Sequence, residues 1–170
     1  MSSAPVAART DDVHDIWRLR RQLEDWIAAQ GIDQWLPGEV PEAVIDEQVG
    51  LRQWYVLRQQ AKLAAALRLL WSDPDVWDVP DGESIFVHGL MVDRSRAGTG
   101  LGASLLDWAA AQAQRRGARW VRLDCAATNT RLCHYYCRQG FTMAGFKKLS
   151  GDLFDVNLWQ RPVEQLHRPF

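Results

Sequence analysis

Apolar residues in the first part of the chain change from helical to strand-like spacing. Between Thr10 and Gly31 they recur every three or four positions, which predicts a helix with a polar start and a glycine stop. A second short helix opens at Pro41, because proline is tolerated in a first helical turn. The runs 51–59 and 62–71 predict two strands, although the alanines and leucines of the second run also suit a helix.

The rest of the chain alternates strands with helices. The predicted elements are, in order, a strand at 85–92, a helix at 101–116, a strand at 120–125, a helix at 129–139, and strands at 141–147 and 154–159. The last two strands are expected to form an antiparallel pair across Ser150-Gly151-Asp152. No internal repeat or linker interrupts this order, so we predict a single α/β domain over residues 1–170.

Composition narrows the class of protein. The 170 residues are 47% hydrophobic, which suits one domain with its own core. The 20 basic and 21 acidic residues nearly cancel, so charge gives no reason to expect nucleic acid or an anionic membrane as a partner. We expect neither a transmembrane run nor a secretory signal. Cys125, Cys133 and Cys137 are expected to be free thiols in a reducing cytosol, which predicts a cytoplasmic protein.

The turn Ala97-Gly98-Thr99-Gly100-Leu101-Gly102 joins a predicted strand to a predicted helix. The first amides of a helix have no internal partner and lie at its positive end, and glycines let the backbone approach a ligand closely. The turn therefore predicts a phosphate site, with an ordinary glycine-rich connection as the alternative.

A dinucleotide-binding fold is one interpretation of this turn. Gly98-x-Gly100-x-x-Ala103 fits the fingerprint, and Asp124 follows about 20 residues on, where a ribose-binding acid belongs. Two features count against it. Five residues separate Val92 from Gly98, whereas the fingerprint follows its strand directly, and too few residues remain after the turn for a doubly wound sheet.

Two motifs together resemble the GNAT superfamily of N-acetyltransferases. Leu90-x-Val92, a short basic loop, the glycine turn and Leu105-Leu106 are similar to that family's coenzyme-binding core. Asn129-x-x-Leu132-x-x-Tyr135-Tyr136-x-x-x-Gly140-Phe141 is similar to its second signature. The resemblance covers residues 84–159 and implies an α/β fold of the α+β type. That fold has a mixed, mostly antiparallel sheet of six to seven strands, flanked by four helices, whose central strands splay apart.

The resemblance implies acetyl-CoA as cosubstrate and no metal. The residues expected to bind the coenzyme are Leu90, Met91, Val92, Arg96, Ala97, Gly98, Thr99, Gly100, Leu101, Gly102, Ala103, Asn129 and Tyr136. Backbone groups of Leu90 and Val92 would pair with the pantetheine arm as a peptide pairs with a sheet edge. The family usually has Gln or Arg where this chain has Ala97, so backbone amides, with Arg96 beside them, would hold the pyrophosphate. Asn129 is equally well explained as a helix N-cap.

Amine attack on a thioester benefits from an acid and a base. The resemblance implies Tyr136 as the acid near the sulfur, because a phenol can protonate the departing thiolate; a core aromatic is the alternative. His88 shares a strand side with Leu90, which makes it a candidate base and substrate contact, or else a satisfied core histidine. Glu83 is the second candidate base. The weaker candidates are Ser84 and Asp124.

Three further stretches bear on substrate and metal. Trp35, expected to be exposed at the tip of the loop 31–39, lies where the family places its acceptor-binding wall, although it could equally cover the core. The loop 72–83 has five carboxylates and no basic residue, which is typical of a solvated loop but could also attract a cationic amine. Cys133-His134-x-x-Cys137 has no second pair of ligands, so we expect no metal there.

These observations predict an N-acetyltransferase. It would move an acetyl group from acetyl-CoA to a primary amine of a small molecule, by direct attack in a ternary complex. A protein N-terminus or lysine is the second class of acceptor, and a homodimer is expected by analogy with the family. The alternatives are a non-catalytic acyl-CoA-binding or sensing module and, less favoured, a dinucleotide-binding oxidoreductase domain.

Overall fold

The computed structural model describes residues 4–149 and 155–164. The elements within them are β1 (Val6–Ala7), α1 (Val13–Ala29), α2 (Glu42–Gly50), β2 (Trp54–Gln59), β3 (Lys62–Leu70), β4 (Ser84–Val92), α3 (Leu101–Arg115), β5 (Trp120–Ala126), α4 (Thr130–Arg138), β6 (Thr142–Lys147) and β7 (Val156–Pro162). Short 3₁₀ turns cover Thr10–Asp12 and Arg94–Arg96. No helix among these elements combines the length and the apolar character needed to cross a membrane.

The strands form one seven-stranded sheet in the order β1-β2-β3-β4-β5-β7-β6. The pairs β1·β2, β2·β3, β5·β7 and β6·β7 are antiparallel, whereas β4 and β5 are parallel. The sheet and the four α-helices confirm the predicted fold class. The turn predicted at Ser150-Gly151-Asp152 lies outside the described residues.

The ambiguous run 62–71 is a strand. Register pairs from Trp54↔Arg68 to Gln59↔Lys62 tie β3 to β2, and the three alanines at 64–66 are buried. Small side chains in a buried strand leave room for the layers above and below, so sheet packing overrides their helix propensity. The final strand, β7, was predicted to end at residue 159. It continues instead to Pro162, which pairs with Trp120 at the start of β5.

The chain divides into two compact units. The first contains the residues up to Leu69 together with Gly89–Leu105, and the second contains Leu70–His88 together with the residues from Leu106 onward. The boundary falls within β4 and within α3, so neither unit is a continuous segment. The single domain over 1–170 therefore stays a prediction.

The core of the first unit lies between its helices and its strands. Its fully buried members are Val13, Ile16, Leu19, Leu23, Ile45, Val49, Trp54, Val56, Ala66 and Met91. The α1 members of this set follow the three-to-four-residue period that predicted the helix. In the second unit, Arg161 of β7 connects α3 to the end of α4, donating to the carbonyl oxygens of Leu106 at 2.9 Å and Gln139 at 3.1 Å.

Gly89 interrupts β4 with a left-handed backbone, at φ = +52°. A Cβ at this position would lie 2.7 Å from Cη2 of Trp54, which is closer than two carbon atoms can approach. The indole cannot easily withdraw, because it is buried and its Nε1 donates to Oε1 of Gln48 at 2.8 Å. Both the backbone conformation and the space at this position require glycine.

We predict that Gly89→Ala lowers the free energy of unfolding by at least about 2 kcal/mol, through overpacking and backbone strain. Urea unfolding followed by tryptophan fluorescence measures the change. The matched control is Gly50→Ala at the end of α2, where a Cβ meets nothing within 4 Å and the φ angle is ordinary. That variant should be as stable as the wild type or slightly more stable. Equal losses in the two variants would contradict the prediction.

Candidate active site

The glycine turn belongs to the first unit and is fixed at both ends. Before it, the amide of Asp93 donates to the carbonyl of Ala64 at 2.9 Å, and the Asp93 carboxylate accepts from the amide of Ser95 at 2.8 Å. After it, the amide of Ser104 donates to the carbonyl of Gly100 at 3.0 Å, which starts α3. The turn therefore has a defined conformation rather than that of a loose connection.

Gly98 and Gly100 have φ angles of +78° and +82°, and a Cβ on either would meet nothing within 4 Å. These glycines are therefore needed for the backbone path, and the space beside them is open. Within the described residues, neither amide has a hydrogen-bond acceptor. Together with the first amides of α3, which lack internal partners, they form a group of donors at the positive end of a helix. Such a group suits a phosphate.

The two arginines before the turn have different roles. The guanidinium of Arg94 stacks over the ring of Trp26, 3.9 Å from its centroid. Arg96 is half-buried and lies closer along the chain to the glycines. A hydrogen bond from Ser95 lowers the pKa of Asp93, and the charge of Arg96 adds to that effect. Of the two arginines, Arg96 is the one not engaged in stacking.

In the second unit, His88 meets two carboxylates. Its Nε2 lies 2.9 Å from Oδ2 of Asp73, a residue only 8% exposed in the loop after β3. An oxygen of Asp124 completes the group, and the three polar atoms all lie within 4.8 Å of one another. One imidazole and two carboxylates at this spacing are also a donor set that a divalent cation could use. This group of Asp73, His88 and Asp124 is called the His88 cluster below.

The strand register explains how His88 and Asp124 come together. The β4·β5 pairing runs from Ser84↔Trp120 to Phe86↔Arg122. Because parallel strands keep equal offsets, His88 and Asp124 are both two residues beyond the last pair. Burial raises the pKa of the Asp124 carboxyl, a positive charge on His88 opposes that rise, and Asp73 adds to it.

Glu83 and Ser84 do not join the His88 cluster. Glu83 precedes β4, about 16 Å along an extended strand from His88. Its carbonyl accepts hydrogen bonds from the amides of Arg119 at 2.8 Å and Trp120 at 3.1 Å. Ser84 is fully buried, and its hydroxyl accepts from Nη1 of Arg122 at 2.7 Å. Both residues thus have structural partners at the start of the parallel pair.

The second signature forms α4 and its flanks. Asn129 is the N-cap, since its Oδ1 accepts from the amide of Leu132 at 3.1 Å, which confirms that interpretation. Tyr136 is 6% exposed and packs edge-on against Phe141, with ring centroids 5.8 Å apart. Burial raises the pKa of Tyr136 well above its usual value, with the neighbouring Cys125 as the next cause. The phenol therefore keeps its proton at neutral pH.

Trp35 is not exposed at a loop tip, so that expectation was wrong. It is half-buried against the core of the first unit, and the guanidinium of Arg20 stacks 3.8 Å from its ring centroid. Arg20 is held in turn by Glu24, a fully buried carboxylate that also accepts from the amide of Gly38 at 2.8 Å. The loop is thus fixed to α1 and Trp35 packs against the core, while its contact with an acceptor stays a prediction.

Similarity to known proteins identifies the family. The sequence profile of the acetyltransferase (GNAT) family matches residues 20–141, about where the two motifs and the helices before them lie. The chain belongs to this family. It is an N-acetyltransferase that depends on acetyl-CoA.

Individual relatives agree with this assignment. The uncharacterized N-acetyltransferase YesJ of Bacillus subtilis is 31% identical over 157 residues, which cover 87% of this chain and 86% of YesJ. Among solved structures, a GNAT-family acetyltransferase of Listeria monocytogenes has a TM-score of 0.77 at 23% identity, over 94% of both chains. The yncA protein of Salmonella typhimurium, solved with its cofactor acetyl-CoA, has a TM-score of 0.68 at 17% identity, over 99% of both chains.

Asp73 is the member of the His88 cluster that sequence reasoning missed. The only signal for it was the run of carboxylates in the loop 72–83, which predicted no particular contact. Its contact with His88 spans 15 positions and depends on how the loop folds back onto β4. Asp124, in contrast, was a weak candidate from the sequence, and its position beside His88 makes it a stronger one.

We predict that Asp124→Asn raises the free energy of unfolding at pH 7. Since burial raises the pKa of Asp124 in the folded chain, its ionised carboxylate costs stability above the unfolded-state pKa of about 4. The gain should shrink as the pH falls towards that value, because the wild-type carboxyl then becomes protonated in both states. Urea unfolding of both proteins at a series of pH values between about 7 and 4 measures it.

Asp78→Asn, at an exposed position of the loop after β3, is the control and should change little at any pH. A variant Asp124→Asn that is less stable than the wild type at pH 7 would contradict the prediction, since it would mean that the attraction to His88 outweighs burial.

Proposed function

We propose that this enzyme transfers the acetyl group of acetyl-CoA to the primary amine of a small molecule, by direct attack within a ternary complex. The observation that carries the proposal is the His88 cluster. At neutral pH a primary amine is an ammonium ion, which two carboxylates attract, and it must lose a proton before it can attack. The cluster offers both the negative charge and a proton acceptor.

Asp73 positions His88 for this role. An ionised carboxylate can only accept hydrogen bonds, so the Nε2 atom facing Asp73 carries the hydrogen. The neutral ring then has its lone pair on Nδ1, which is the atom that takes the proton from the amine, directly or through a water molecule. Glu83 is the second candidate base, and its place before β4 makes it the weaker one.

Coenzyme A is held, in this proposal, by the main chain of the first unit. Acetyl-CoA supplies a thioester whose carbonyl carbon the amine attacks. The amides of Gly98, Gly100 and the first turn of α3, which are unpartnered within the described residues, bind its pyrophosphate, with Arg96 as the one side chain that adds charge. The amides of Ala97 and Thr99 donate to the carbonyls of Arg94 and Arg96 and hold the path of the turn. Leu90 and Val92 are half-buried, whereas Met91 between them is fully buried, so Met91 contributes only its backbone. The N-cap Asn129 contributes to the pantetheine side.

Tyr136 is the proposed general acid. When the carbon–sulfur bond breaks, the thiolate takes the phenolic proton, and solvent reprotonates the phenolate. The support is the position of Tyr136 on α4 within the second signature; burial keeps the phenol protonated but makes it a weaker acid, so its position and not its raised pKa carries the assignment. The adjacent Tyr135 is half-buried and serves as its natural comparison.

The His88 side chain is 24% exposed and that of Asp73 8%, so an acceptor amine would reach the cluster through His88. A small-molecule amine is the first choice, and a protein N-terminus or lysine is the second.

We also propose a cytoplasmic location, in keeping with the three free thiols, and a homodimer by analogy with the family. No metal, nucleic acid or membrane partner is needed for this reaction.

A thiol-release screen tests the proposed function. Purified protein is incubated with acetyl-CoA and a library of small amines, amino acids, polyamines and peptides, and free coenzyme A is measured. Release that depends on a small amine supports the proposal, whereas release with peptides alone would overturn the choice of acceptor. Acetyl-CoA binding without any release favours the non-catalytic module. Tight NADH binding with no response to acetyl-CoA, followed by tryptophan fluorescence, would favour the dinucleotide alternative.

We predict that Tyr136→Phe lowers kcat about 10²–10⁴-fold, the usual contribution of a general acid, while the affinity for acetyl-CoA stays the same. Steady-state thiol release gives kcat, and fluorescence titration gives the affinity. Tyr135→Phe is the matched control and should retain activity. If both variants are equally active, Tyr136 is a core aromatic and not the acid.

We predict that His88→Gln lowers kcat/KM for the amine by a similar factor without weakening acetyl-CoA binding, because the amine must then reach the site already deprotonated. Glu83→Gln should leave kcat/KM nearly unchanged. The reverse ranking of the two variants would assign the base to Glu83 instead.

A further inference from the structure

Two cysteines of the second unit, one on a strand and one on a helix, have their sulfur atoms close together. The Sγ atoms of Cys125 on β5 and Cys133 on α4 lie 3.7 Å apart. A disulfide bond is about 2.05 Å long, so closing it requires an approach of about 1.7 Å. Cys137, one turn further along α4, is exposed.

The two thiols differ in reactivity. Cys133 is half-buried, so a small oxidant can reach it. Cys125 is fully buried, and burial raises the pKa of its thiol, which makes it a poor first target. Attack therefore begins at Cys133, and Cys125 is the neighbouring thiol that resolves the product.

A third residue holds the pair in place. Asn157 of β7 is the register partner of Cys125, and its Nδ2 points at Sγ of Cys133 from 3.5 Å. This contact orients the sulfur of Cys133 beside that of Cys125. Three elements, β5, β7 and α4, thus converge on the two sulfur atoms.

We propose that Cys125 and Cys133 are a peroxide-sensitive dithiol that forms a reversible disulfide. The Cys133 thiolate attacks one oxygen of hydrogen peroxide and becomes a sulfenic acid, and the released hydroxide takes a proton to give water. The Cys125 sulfur then attacks the sulfenic sulfur, and the hydroxyl leaves as a second water with the Cys125 proton. Two thiols and one peroxide give one disulfide and two waters, and the sulfur atoms supply two electrons.

The position of the pair links oxidation to acetyl transfer. Cys125 follows Asp124 on β5, and Cys133 precedes Tyr136 by less than one turn of α4. Drawing the sulfurs together moves the element that carries the proposed acid towards the strand that carries Asp124. Oxidised enzyme should therefore lose acetyl transfer, a consequence that rests on the proposed function of Tyr136.

Mass spectrometry of the full chain tests the disulfide without reference to activity. The reduced protein is treated with hydrogen peroxide while folded, denatured, alkylated and digested. We expect the intact mass to fall by two hydrogens, alkylation only at Cys137, and a peptide that joins Cys125 to Cys133. Dithiothreitol should restore all three thiols. A wild-type chain that gains oxygen at Cys133 without linkage, or that links through Cys137, would overturn the proposal.

Variants and activity complete the test. Cys137→Ser should still form the internal disulfide, whereas Cys133→Ser should not. Thiol release by the oxidised wild type and Cys137→Ser should fall severalfold and return on reduction, while Cys133→Ser resists peroxide. If the disulfide forms without loss of activity, the proposed dithiol is supported, but the proposed effect of oxidation on Tyr136 and acetyl transfer is overturned. A protein with no acetyl transfer at all would overturn the proposed function, and the mass data would still decide the disulfide.

Discussion

The short parallel pairing of β4 with β5 determines which side chains form the His88 cluster in the second unit. It is parallel, whereas the pairs β1·β2, β2·β3, β5·β7 and β6·β7 are antiparallel, and it sets Phe86 opposite Arg122. Arg122 secures it by donating to Ser84 at 2.7 Å and to Gln160 of β7 at 3.3 Å. A slip of one residue would turn Asp124 to the other face of the sheet, because side chains alternate along a strand. The meeting of His88 with Asp124 is therefore a consequence of register.

The two units handle buried charge in different ways. In the first, the carboxylate of Glu24 is fully enclosed, and Arg20, Arg21 and the amide of Gly38 all donate to it at 2.7–2.8 Å. A buried charge with this many partners fixes a loop to a helix. In the second, Asp124 is withdrawn from water beside one carboxylate and one imidazole, so repulsion partly cancels attraction. Ionisable groups that are buried beside both a like charge and an opposite charge are typical of sites that exchange protons.

Sequence reasoning succeeded where the signal is local. The Asn129 cap, the glycine turn between β4 and α3 and the periodicity of α1 depend on neighbours within a few residues, and these features agree with the structure. It failed where charges or loops act over a distance. Trp35 was predicted to be exposed at the tip of its loop, and nothing in the loop itself shows that Arg20, on α1, would cover the ring. The contact of Asp73 with His88 was equally invisible, since any of five carboxylates in that loop could have made it.

The hydrogen-bond donors of the glycine turn are main-chain amides. Most substitutions in the turn therefore leave these donors in place during evolution. Replacing Ala103 by almost any residue would leave the amide hydrogen of that position in place, as only proline lacks one. What is fixed is the sign of the φ angles at Gly98 and Gly100, which side chains tolerate poorly. The turn can therefore change in composition while keeping its shape and the amides of Gly98 and Gly100, which have no acceptor in the described part of the chain.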